Sequence, residues 1–100
     1  MADRCQIEFT RRAYCHLEAL RRYERNAILD AIKEQLADAP DEETRNRKLL
    51  RANPLADWEL RIGQHRVFYE VDANHRKVTI LAVGVKDRNK LIIEGKEVAL

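Results

Sequence analysis

Four cations stand on or beside stretches in which apolar and polar residues alternate: Arg61, Arg66, Lys86 and Arg88. Arginine on a strand can grip a phosphate through two parallel hydrogen bonds, and a set of such side chains can hold the charge of a pentacoordinate phosphate during cleavage. The competing reading is plain: the same residues can be solvated partners of Glu59, Glu70 or Asp72 in cross-strand ion pairs. His65 adjoins Arg66, and an imidazole titrating near neutrality can move a proton to or from a ribose hydroxyl or a leaving oxygen; a turn histidine left in water does neither. Phe68 is apolar on the basic face, so it either stacks a base or buries itself under a helix. Trp58 and Tyr69 share a face with apolar residues and read as core.

Other chemistries lack their usual signs. There is no Gly-rich phosphate loop, HExxH, paired CxxC or GxSxG. His16, His65, His75, Cys5 and Cys15 have no ligand-like spacing, so the expected function uses no metal and no cofactor.

The elements that must position these residues follow from periodicity. Gln6 to Phe9 alternates as a strand, and Thr10 caps a helical pattern opened by Arg11. Ala13, Leu17 and Leu20, then Ala27, Ile28, Ala31, Ile32 and Leu36, form apolar stripes that stop at Ala39-Pro40. Whether 11–37 is one helix or two is left open, because Arg21-Arg22-Tyr23 holds neither Gly nor Pro. Asp41-Glu42-Glu43 followed by Arg45, Arg47, Lys48 and Arg51 is the charge order a helix dipole favours, and it predicts a short helical segment ending before Asn53-Pro54. From Trp58 the period becomes two: Trp58, Leu60 and Ile62 oppose Glu59 and Arg61, and a turn at Gly63-Gln64-His65 leads into Arg66 to Val71. There Val67, Tyr69 and Val71 oppose Arg66, Phe68 and Glu70. Lys77 to Val85 is apolar on both faces, as in a strand well inside a sheet. Leu91 to Leu100 is compatible with a short strand or a loose tail.

Charge is unevenly distributed. Residues 44–90 carry 11 basic and 5 acidic side chains, whereas residues 1–43 carry 7 and 10. A basic meander of this kind suits a polyanion partner. At 100 residues, 45% of them apolar, the chain reads as one domain spanning 1–100 that buries roughly two thirds of its unfolded surface. Two thiols and no signal-like apolar segment point to a cytoplasmic protein, and no apolar run is long enough to cross a membrane.

Three segments in this order and spacing, IEFTRRAYCHLEAL, RKLLRANPLADWELRIGQHRVFYEVD and VTILAVGVKDRNKL, make the chain resemble the RelE/ParE superfamily of toxins from type II toxin-antitoxin systems. The resemblance implies an α+β, RelE-like fold: an antiparallel sheet, made of an N-terminal strand and a three-stranded C-terminal meander, packed against N-terminal helices. In the RelE-like branch it implies a metal-independent, ribosome-dependent mRNA endonuclease that uses the 2′-hydroxyl as nucleophile. Matched by position, Arg61 assists proton transfer, Arg66 and Lys86 stabilise the transition state, and His65 is a further acid-base candidate. Lys48, Arg51, Phe68, Arg88 and Lys90 are then the residues expected to hold RNA. Glu59 stands where typical RelE proteins carry a basic residue, and Ile92 where they carry a tyrosine. The ParE branch shares the scaffold but inhibits DNA gyrase without cutting RNA, and an inactive remnant would bind its antitoxin alone. Every branch implies an antitoxin partner; the first adds the ribosome and mRNA.

Overall fold

The computed structural model describes residues 5–50 and 55–98. The chain runs β1 (Gln6–Phe9), α1 (Arg11–Glu18), α2 (Arg22–Leu36), β2 (Arg47–Leu49), β3 (Trp58–Ile62), β4 (His65–Asp72), β5 (Lys77–Asp87), β6 (Lys90–Ile93) and β7 (Lys96–Val98). All seven strands join one sheet in the order β2-β3-β4-β5-β6-β7, with β1 also pairing β5. The fold is α+β, and the strand, helix and meander order read from periodicity is the one observed. Every ladder is antiparallel except that of β1 with β5, which is parallel, as a strand returning through a helical connection requires.

The segment 11–37 forms two helices. Thr10 caps α1, its hydroxyl accepting from the Ala13 amide, and a break at Ala19 to Arg21 separates α1 from α2. Ala13 and Leu17 of α1, with Ile28, Ile32 and Leu36 of α2, lie on Trp58, Leu60, Val67, Tyr69, Val78, Ile80 and Val83 of the sheet, forming the main core. Trp58 and Tyr69 are cross-strand partners whose rings stack at 6.0 Å and 17°. The Tyr69 hydroxyl donates to the Pro40 carbonyl at 2.8 Å, and its burial pushes the phenol pKa up, keeping it a donor.

The helix expected after Asp41 is absent from the described residues. Instead Arg47 begins β2, pairing opposite Leu60, and its guanidinium reaches back to the end of α2, donating to the carbonyls of Gln35 at 2.7 Å and Ala39 at 2.8 Å. Charge order along a helix is worth about 0.3–1 kcal/mol. Charge-assisted bonds to orphan helix carbonyls are worth about 1.5–3 kcal/mol, so the cap wins. Arg51, with the rest of 51–54, lies outside the described residues.

Lys90–Ile93 and Lys96–Val98 form strands, and the reason lies in two tight turns. Arg88 and Asn89 have φ of 49° and 66°, and Glu94 and Gly95 have 56° and 74°, the left-handed pairs that two-residue hairpins demand. β6 then closes over the face of the sheet opposite the helices, where Phe68, Ala82, Leu91 and Ile93 gather with Ala56 in a second, smaller core. Gly84 makes this approach possible: a Cβ there would stand 2.8 Å from the Ile92 carbonyl oxygen and 2.8 Å from Ile93 Cγ1.

Candidate functional site

Strand alternation sorts the candidate residues onto two sides. In the β3–β4 ladder Arg61 stands directly opposite Arg66 and Glu59 opposite Phe68, while Ile62 stands opposite His65. Glu59 is also opposite Lys48 of β2, and Arg66 is opposite Gly84 of β5, two residues before Lys86. Lys48, Glu59, Arg61, Arg66 and Lys86 therefore share the face away from the helices.

The centre of that face is a carboxylate flanked by two guanidinium groups. The Glu59 side chain is only 5% exposed; its Oε1 lies 3.1 Å from Arg61 Nε and 3.9 Å from Arg66 Nε. Arg61 donates a hydrogen bond to it and is otherwise half in water, whereas Arg66 is turned inward. Arg66 Nη1 donates to the carbonyls of Gly63 at 2.7 Å and His65 at 2.9 Å, while its buried Nε has no hydrogen-bond partner. A buried donor left unmatched costs free energy, and the Glu59 carboxylate 3.9 Å away offsets part of that cost through its charge. The pair of arginines thus offers one net positive charge at close range rather than two. Lys48 and Lys86 add cations without ion-pair partners among the described residues.

Two expected members are elsewhere. His65 points to the helix side, where its Nε2 meets Glu24 Oε2 of α2 at 3.2 Å, so the backbone of β4 separates it from any phosphate held by Arg61 and Arg66. The reason is the period of two: adjacent residues of one strand cannot face the same ligand. Phe68 is fully buried in the second core, and this corrects its reading as a base-stacking ring. Arg88 occupies the apex of the β5–β6 turn, and Lys90, opposite Asp87, alternates with Leu91 and so lies on the side away from Lys86. Ile92 likewise faces the helix side and lines a cavity of 390 Å³ with Cys15, His16, Leu20, His65 and Glu94.

A polar cluster at the mouth of that cavity was not evident in the sequence. β1 ends its pairing at Ile80 and β6 begins at Val85, leaving a gap on the edge of β5. α1 fills it. The Thr10 hydroxyl donates to the Leu81 carbonyl, and His16 Nδ1 accepts from the Val83 amide at 3.0 Å. The His16 proton is therefore on Nε2, facing Glu94 Oε1 at 2.6 Å, and Arg12 Nε meets the same oxygen at 3.1 Å. These bonds, the His16 one foremost, hold the Glu94 carboxyl below its ordinary pKa. No sequence signal marks this cluster, since its members lie 78 and 82 positions apart.

Among the described residues no group of His, Cys, Asp and Glu could hold a metal ion, and no helix is long and apolar enough to cross a membrane.

Comparison with known proteins agrees with this architecture. No curated protein matches the chain. Of solved structures, the RelBE2 toxin-antitoxin complex of Mycobacterium tuberculosis is similar at 27% identity and a TM-score of 0.73, covering 85% of this chain and 93% of that one. The archaeal RelE-RelB complex of Pyrococcus horikoshii shares the fold at 18% identity and a TM-score of 0.67, covering 84% and 97%. The intact RelBE complex of E. coli shares it at 20% identity and 0.62, covering 84% and 99%. Residues 7–90 match the family described as the ParE toxin of type II toxin-antitoxin systems. With its fold, its strand order and most of its length accounted for in this way, the chain belongs to the ParE toxin family, within the RelE/ParE superfamily of type II toxin-antitoxin systems.

Proposed function

We propose that this toxin is held in check by an antitoxin protein and arrests growth as a ParE-type inhibitor of DNA gyrase, without cutting RNA. The observation that carries the reading is Glu59, whose carboxylate lies between Arg61 and Arg66. Phosphoryl cleavage depends on positive charge aimed at the oxygens where negative charge develops. A carboxylate fixed at that point opposes the same charge. The histidine next to Arg66 in the chain adds nothing there, since His65 faces the helices and meets Glu24. A binding surface has no such requirement. Partly neutralised arginines with Lys48 and Lys86 at the margin suit an acidic protein surface, the antitoxin's included. The antitoxin partner is further supported by the solved relatives, each of which is a toxin-antitoxin complex.

The second reading, a ribosome-dependent mRNA endonuclease acting through Arg61, Arg66 and Lys86, is favoured by one feature: three cations share a face, two of them directly opposite each other. Two measurements separate the readings. Under gyrase inhibition the purified toxin blocks supercoiling of plasmid DNA by gyrase, and primer extension on a translated message after induction shows intact transcript. Cleavage of that message within its translated codons, abolished by Arg66→Ala, would replace the first reading by the second. A chain that does neither, and arrests no growth, is a remnant that binds its antitoxin alone.

A further inference from the structure

The acidic balance of the N-terminal half conceals a second basic surface. Residues 11–25 hold five arginines against two glutamates, whereas residues 30–43 hold six carboxylates against one lysine. The structure folds the first group into the α1–α2 hairpin, on the far side of the sheet from Lys48, Arg61, Arg66 and Lys86.

The arginines there are unusually unpartnered. Arg12 is bound to Glu94, but among the described residues Arg11, Arg21, Arg22 and Arg25 form neither ion pairs nor side-chain hydrogen bonds. Four positions on, these arginines meet Cys15, Arg25, Asn26 and Leu29 respectively, none of them an acid. Glu24, the nearest acid of α2, is committed to His65. Arginine left in water at this density repels its neighbours and lowers the stability of the fold, which a bound anion would relieve.

Tyr14 lies among them. Its side chain is 58% exposed, although α1 has an apolar face where a ring could be buried. Helical spacing puts it one turn from Arg11, and across the hairpin it is close enough to Arg25 to feel its charge. The Glu18 carboxylate one turn on raises the pKa of its hydroxyl, which keeps the ring neutral. Tyr23, 68% exposed, stands beside Arg22 at the start of α2.

We propose that the outer surface of the α1–α2 hairpin binds single-stranded nucleic acid, with Arg11, Arg22 and Arg25 on the phosphates and a base stacked on Tyr14. Exposed rings set among forked cations match the two requirements of such binding, a stacking surface and a positive track for the backbone. An acidic protein would use the arginines but gain little from an open tyrosine ring. The surface is separate from the Glu59 site, so the inference holds whichever toxin mechanism is correct.

The test is fluorescence anisotropy of the purified chain with a labelled single-stranded oligonucleotide, the same sequence as a duplex, and a labelled oligoglutamate peptide. Tyr14→Ala is expected to weaken single-strand binding about 5- to 100-fold, and Tyr14→Phe to retain it. Arg22→Ala with Arg25→Ala should lower the salt dependence of log affinity by about 1.4, two phosphates' worth, while the Lys substitutions keep that slope. Each of these residues is on the surface, so the melting temperature of every variant should stay close to that of the parent. Unchanged binding in the hairpin variants, with loss confined to Lys48→Ala and Lys86→Ala, would overturn the proposal. Equal affinity for duplex and single strand would also overturn it, as would oligoglutamate binding that needs the arginines while the oligonucleotide is ignored.

Discussion

On the helix face of the sheet, Trp58, Leu60, Val67, Tyr69 and Ile80 meet Ile28, Ile32 and Leu36 of α2. On the other face, among the described residues, Phe68, Ala82, Leu91 and Ile93 pack on one another, on Ala56, and on the neighbouring leucines and Val98. The strands are the same; the residues simply alternate. The difference teaches where each kind of polar group can survive. Beneath two helices Tyr69, Arg47 and His16 are each bonded to backbone, at Pro40, at the end of α2 and at Val83. Beside the thin second core a charged pair is bonded side chain to side chain, with Glu59 buried and Arg61 half in water. Charges on the thin side keep some contact with water, since desolvating them completely would cost more than the ion pairs return.

That contrast makes measurable predictions. If the second face is a true core, Phe68→Ala should destabilise the chain by about 3–5 kcal/mol in urea unfolding, as much as a large aromatic lost from any packed interior. A loss below about 1 kcal/mol would mean that β6 and β7 form a loose cover, and that the two faces differ in kind. Gly84→Ala probes the same closure from beneath. The added methyl collides with the Ile92 carbonyl and Ile93, so a loss of about 1–3 kcal/mol is expected, with faster amide exchange in β6 than in β3. Exchange quickened equally in both strands would indicate that the faces are not independently closed.

The smallest effect belongs to the polar link between α1 and the β6–β7 turn. The carboxyl of Glu94 is held below its ordinary pKa of 4.5 by His16 and then Arg12, so its ionised form is favoured in the folded state. The stabilisation is present above that value and is lost as pH falls below it. Glu94→Gln should therefore lower the melting temperature slightly near neutrality and flatten its decline between about pH 5 and about pH 3. A mutant curve parallel to the parent's through that range would show that the link adds nothing to holding β6–β7 on α1.

Much of this was open to reading in the residues themselves. The change of period at Trp58 located β3 and β4 with their turn, since a half-buried strand must alternate. The apolar run from Lys77 located β5, which is flanked on both edges and covered on both faces. The same alternation, carried one step further, would have separated His65 from Arg66, because adjacent residues of a strand face opposite ways. Other features had no local signal. Arg47 looked like one more cation in a basic helix end, and only the arrival of the α2 terminus beside it made it a cap. Phe68 on a basic strand was ambiguous until β6 folded over it.

By itself, then, the sequence determined the elements, their order, the superfamily and the list of charged residues, because periodicity and charge are local properties that survive in any conformation. Only the tertiary structure decided which of those charges meet. Placing Glu59 between Arg61 and Arg66, removing His65 to Glu24 and joining Glu94 to His16 all depend on strand register and on the closure of β6, which are fixed by contacts between residues distant in the chain. Side-chain charges act over a few ångströms, so what they can do chemically was settled at that level and not before.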